Sequence, residues 1–234
     1  MRVWYMGCAP AFQAVESSSN LDTRSITKGN ALSNMDLITL FIKTPIVFMH
    51  FCLAAYAIVS IISLDLKIFF NYTKPLTESL LNQIKKAEFV LSYVLLLLYA
   101  SGIFFLIHGA YTDPKYFVNE KLLFKLALVG ALTINGGFVA WISNTLKVGD
   151  VFSKFRLPKK LALILVGGFS STAWTWACFI GVARLWNFKL SFLTLGAGFL
   201  MNYAIVIVFL TIALAIQEHI AEKKQAKIFI PVRR

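Results

Sequence analysis

Five stretches, almost free of charge and apolar over whole helical turns, dominate this chain at roughly residues 45–64, 89–111, 122–146, 161–183 and 190–216. An α-helix needs about 20 residues to cross about 30 Å of hydrocarbon, and each stretch reaches that length. A surface helix of a soluble domain would turn one polar face to water; these turn none. Backbone inside lipid must satisfy its own N–H and C=O groups, which a single continuous segment does only as a helix. The predicted fold class is therefore all-α, an integral membrane helical bundle with five transmembrane helices.

Charge is scarce and segregated. Charged residues make up 15% of the chain and hydrophobic residues 58%, against a charged share of about a quarter in soluble domains. The length of 234 residues leaves room for one bundle and no separate soluble domain. The expected layout is a disordered or interfacial N-terminal tail over 1–40, the bundle over 41–220 and a basic cytoplasmic tail over 221–234. The net charge of +12 does not point to nucleic acid. The Lys and Arg residues lie between and beyond the apolar stretches, where they set orientation and meet anionic headgroups. Cys8, Cys52 and Cys178 form no C-x-x-C and read as small apolar packing residues.

With helices alternating in direction, one side receives residues 1–44, 112–121 and 184–189. The other receives 67–86, 147–160 and the tail after Gln217. The second side is the more basic, with Lys67, Lys74, Lys85, Lys86, Lys147, Lys154, Arg156, Lys159 and Lys160 before the tail begins. Positive charge favours the cytoplasm. The expectation is an outer N-terminus and a cytoplasmic C-terminus in a bacterial inner (plasma) membrane. The expected partners are the lipid bilayer, anionic headgroups on the cytoplasmic face, and further copies or other subunits in a homo- or hetero-oligomer. Tyr111, Tyr116 and Trp186 on one side, and Phe69, Phe70 and Tyr72 on the other, suit the headgroup level.

Residues 14–34 are rich in Ser, Asn and Thr without apolar periodicity, which predicts disorder; translation from Met35 is an alternative to Met1. Segment 76–87 is amphipathic, with Leu76, Leu80, Leu81 and Ile84 on one face. It is expected either along the membrane surface or as the opening of the second helix.

Ionisable groups inside a bilayer are costly and are functional candidates by default. His50 falls about 7.5 Å inside the first helix and His108 about 4.5 Å inside the second, at 1.5 Å per residue. Lys125 lies four residues into the third, at the same side of the membrane; Asp65 and Lys67 are expected at the opposite end of the first helix. Two imidazoles facing across a bundle can ligate a b-type haem, making His50 and His108 the candidate metal ligands. Lys125 would pair with a haem propionate. Hydrogen bonding of the histidines to headgroups or neighbouring helices, with Lys125 snorkelling to the surface, is the alternative.

An early histidine, His50, is followed by Ala100-Ser101-Gly102 in the second helix and by Lys121-Leu-Leu-Phe-Lys125-Leu-Ala-Leu-Val opening the third. Over about residues 49–135 this resembles the four-helix membrane family that includes the haem-binding protoporphyrinogen oxidase of bacteria and copper-resistance D-type proteins. The resemblance implies His50 as haem ligand and Lys125 as its functional partner.

A second, uncharged set comprises Thr133 and Asn135, then Ser170, Ser171, Thr172 and Thr175 beside Trp174 and Trp176, then Asn202 and Tyr203. These residues would either line a solute path at the midplane or hydrogen-bond between helices. The alternatives to a haem-linked role are accordingly a small transporter or channel component and a non-catalytic subunit of a membrane complex. No P-loop, nucleophile elbow or H-E-x-x-H occurs.

Overall fold

The structure, a computed structural model, describes residues 34–228. Five long helices account for most of them: α1 (Asn34–Phe70), α2 (Glu78–Thr112), α3 (Glu120–Asn144), α4 (Leu157–Val182) and α5 (Phe192–Ile228). No strand occurs among the described residues. Every one of the five contains a segment long and apolar enough to cross a membrane, so the chain is a multi-pass membrane helical bundle. Residues 34–47 belong to one compact unit and residues 48–228 to a second. The former are the opening turns of α1, and the latter form the bundle.

Helix boundaries differ from the sequence reading where local chemistry overrides hydropathy. The first stretch was expected from residue 45, yet Pro45 lies inside α1. Proline lacks an N–H and usually breaks a helix, but long membrane helices tolerate it. Residues 34–40, expected in the tail, are helical. The expected disorder over 1–33 and the choice of start site fall outside the described residues. Segment 76–87 opens α2 and is no separate surface helix. The Thr77 side chain accepts from Leu80 N at 3.2 Å, and Glu78 sits in the first turn, where the helix dipole favours an anion. Pro158 occupies the first turn of α4, the position proline suits best, and draws Lys159 and Lys160 into the helix. The fifth apolar stretch ends near residue 216 in the sequence, yet α5 runs on to Ile228.

The main core joins all five helices. Ala57 and Ile61 of α1 meet Val94 of α2, Phe124, Leu128 and Leu132 of α3, Ala173 and Trp174 of α4, and Leu195 and Phe199 of α5. Small residues at such contacts let backbones approach where lipid offers no hydrophobic drive between helices. Bulky residues such as Phe48, Phe89, Leu193 and Phe209 are exposed, as a lipid-facing surface requires.

A smaller cluster closes the face carrying the α1–α2 and α3–α4 connections, called here the second face. Leu80, Leu81 and Ile84 pack there with Tyr72, Leu76, Leu146 and Phe152. The two connections clasp one another through main-chain bonds from Leu76 N to Asp150 O (2.7 Å), Gly149 N to Leu76 O (2.9 Å) and Ser153 N to Tyr72 O (3.1 Å). Gly149 has φ 91°, a conformation that glycine adopts without the steric penalty of a side chain. Tyr72 Oη and Lys160 Nζ both donate to Glu218 Oε1, at 2.9 and 2.6 Å, tying this end of α4 and α5 to the clasp.

At the opposite, first face, the start of α3 staples the α4–α5 connection. Buried Lys121 donates to Ala183 O at 2.6 Å and Asn187 Oδ1 at 2.9 Å. Glu120 Oε2 accepts from Phe192 N at 2.5 Å. A buried ammonium is tolerated because carbonyl oxygens replace its water.

Candidate functional site

His50, His108 and Lys125 all lie in the first-face half of the bundle, on α1, α2 and α3. Their partners show how the half is built. His50 Nδ1 is 2.7 Å from Ser101 Oγ. Ser101 also reaches the carbonyls of Leu97 at 2.9 Å and Leu98 at 3.1 Å in its own helix. A serine hydroxyl carries one proton. When that proton goes to the helix carbonyls, the bond to the histidine is made by Nδ1–H donating to Ser101 Oγ. The Nε2 lone pair is then the free coordinating or basic atom, the arrangement found when a second group orients a ligating imidazole.

Phe105 packs edge-on against His50 with centroids 5.4 Å apart, and Phe104 stacks on His108 at 6.2 Å. The two phenylalanines meet at 5.8 Å. The structure thus links the two histidines through a pair of aromatic rings. His50 engages α2 at Ser101 and Phe105, while His108 stands seven residues beyond Ser101, about 10 Å further along the axis.

Lys125 is half-buried and lies against α4. A Cβ added at Gly181 would sit 3.4 Å from Lys125 Nζ, and the ammonium interacts electrostatically with Cys178 and with His50. Among the described residues the ion pair present is Lys160–Glu218; no carboxylate neutralises Lys125. The structure therefore brings His50 and Lys125 into one electrostatic environment, with Ser101, Cys178 and Gly181 completing it.

Sequence reasoning missed three of these. Ser101 is visible only as the middle of Ala100-Ser101-Gly102, Cys178 reads as packing, and Gly181 carries no signal, because its role is to lack a side chain opposite a lysine 56 positions away. Nearby Tyr116, in the turn that leads into α3, has its phenol pushed above its ordinary range by burial. No group of three or more His, Cys, Asp or Glu able to hold a bare metal ion occurs among the described residues.

The uncharged midplane set is largely engaged in hydrogen bonds. Asn135 Nδ2 donates to Val166 O at 3.2 Å, Tyr203 Oη to Leu165 O at 3.0 Å, and Tyr99 Oη and Thr133 Oγ1 lie 2.7 Å apart. Thr172 and Thr175 bond to carbonyls one turn back. Trp174 is buried in the core, whereas Trp176 Nε1 is buried without a partner among the described residues.

Compared with known proteins, the chain matches no family model, no curated protein and no solved structure.

Proposed function

We propose that this membrane protein binds a b-type haem in the first-face half of its bundle and serves a redox or haem-linked role. One observation carries the reading: a half-buried lysine without a carboxylate partner shares an electrostatic environment with a histidine whose Nδ1 is engaged by Ser101. An uncompensated ammonium inside a bilayer calls for an anion, and an imidazole fixed at Nδ1 presents Nε2. Haem offers both partners, a propionate and an iron.

His50 Nε2 would ligate the haem iron and Lys125 would pair with a propionate. His108 is the second candidate ligand, and the Phe104–Phe105 pair lies between it and His50. When bound, the haem supplies one-electron chemistry. The protein's residues orient the imidazole through Ser101, hold the counter-charge through Lys125 and exclude water through the two phenylalanines. The hydrogen bonding of Asn135, Thr133 and Tyr203 between helices favours this reading over a solute path through α3, α4 and α5.

The same reading places the chain in a bacterial inner membrane with the first face outside and the basic second face toward cytoplasmic anionic lipid. The first outcome to check is colour. Protein purified in mild detergent from haem-supplied cells is expected to show a Soret band that shifts on reduction. It should be lost in His50→Ala and weakened in Lys125→Met, with His108→Ala reporting whether a second imidazole coordinates. A colourless wild-type protein from such cells overturns the proposal.

A further inference from the structure

Asp65 is a carboxyl group inside the span that the first-face site does not use. It continues the core-facing stripe of α1 through Ala57 and Ile61, 0% and 5% exposed, since residues four apart share a helix face. Sequence reasoning put Asp65 at the end of the first helix. The structure places it deeper, because α1 runs on to Phe70 and the Asp65 carboxylate meets Ser171 Oγ near the middle of α4. Seven residues separate Asp65 from Tyr72 in the clasp, about 10 Å at 1.5 Å per residue, and eleven separate Ser171 from Lys160, about 16 Å.

The charges around it are accounted for elsewhere. On α1, Lys67 donates to Gln83 of α2 at 2.8 Å. Glu88 of α2 is bonded by Ser143 of α3. Lys160 of α4 pairs with Glu218 of α5. Among the described residues no cation pairs with Asp65. An ionised carboxylate at this depth without a counter-charge is costly. The hydrogen-bond count agrees. Ser171 has one proton and two acceptors within reach, Asp65 Oδ2 and Gly167 O, the latter at 3.2 Å. If the serine proton goes to Gly167 O, the contact with Asp65 needs a second proton, carried by the carboxyl and donated to Ser171 Oγ.

We propose that Asp65 and Ser171 hold one bound proton, carried by the carboxyl, within the second-face half of the bundle. This site is independent of haem binding.

Infrared spectra of the full chain in lipid, with sodium or choline as the only salt cation, test it. A bound proton appears as the carbonyl stretch of a protonated carboxyl, absent in Asp65→Asn and indifferent to replacing choline by sodium. Ser171→Ala keeps the carboxyl and is expected to shift the band. Asp113→Asn, outside the spans, should leave it unchanged. The proposal is overturned if Asp65 contributes only carboxylate bands, whether or not they respond to sodium, or if Asp65→Asn retains the carbonyl stretch.

Discussion

Replacing Gly109 by alanine should destabilise this protein, against the ordinary preference of helices for alanine. Gly109 is buried in the last turns of α2, and a Cβ built there would lie 2.4, 2.5 and 2.6 Å from three ring carbons of Tyr116. Carbon atoms rest about 3.5–4.0 Å apart, so the ring would have to retreat by about 1 Å. It has little freedom to do so. Its turn is tied back through Asp113 N to Gly109 O (2.9 Å) and Tyr116 N to Asp113 O (3.0 Å), and forward through Asn119 N to Tyr116 O (3.3 Å). Overpacking of this kind costs about 1–3 kcal/mol, while alanine for glycine in a helix returns about 0.5–1 kcal/mol. The net expectation is a loss of up to about 2 kcal/mol. In a Tyr116→Ala background the clash disappears and the same substitution should stabilise by about 0.5–1 kcal/mol. A double-mutant cycle measured by reversible unfolding in mixed micelles reads this change of sign. Equal effects of Gly109→Ala in both backgrounds would refute the packing argument.

Lys121→Met should cost about 1.5–3 kcal/mol in the same assay, because it strips charged hydrogen bonds from Ala183 O and Asn187 Oδ1. It should also loosen the α4–α5 connection in hydrogen exchange. Gly149→Ala should cost about 1–2 kcal/mol, the penalty of a side chain in left-handed backbone, with little change in the spectrum of any bound haem. The Tyr72 phenol is held above its ordinary range by burial first and then by its bond to Glu218. A raised folded value means that the unfolded chain loses this proton first. The stability tied to Tyr72 is therefore complete below about pH 10, the ordinary phenol value, and is lost as pH rises further. Unfolding of Tyr72→Phe should show a shallower alkaline decline than wild type; identical declines would remove Tyr72 from the account.

How much could be read in advance depended on the range of the interactions involved. Spans are a local property: about 20 uncharged residues must be a helix in lipid wherever they pack, so α2 to α5 fall close to their expected places. Errors at their ends trace to single residues whose effect depends on context, such as Pro45 inside α1 and Pro158 inside α4. The pairing of His50 with Ser101 joins positions 51 residues apart, and that of Asp65 with Ser171 joins positions 106 apart. Hydropathy has no term for such contacts.

Sequence alone thus determined five helices, among the described residues, long and apolar enough to cross a membrane, and singled out the few ionisable residues within them, because the cost of charge and of unpaired backbone in hydrocarbon holds for any packing. Tertiary structure alone decided which of those residues share a site. It set Lys125 within electrostatic reach of His50 and opposite a missing side chain at Gly181, joined His108 to His50 through two phenylalanine rings, and carried Asp65 to a serine near the middle of α4. Rotation and depth of packed helices settle such meetings, and these follow from all the contacting faces at once.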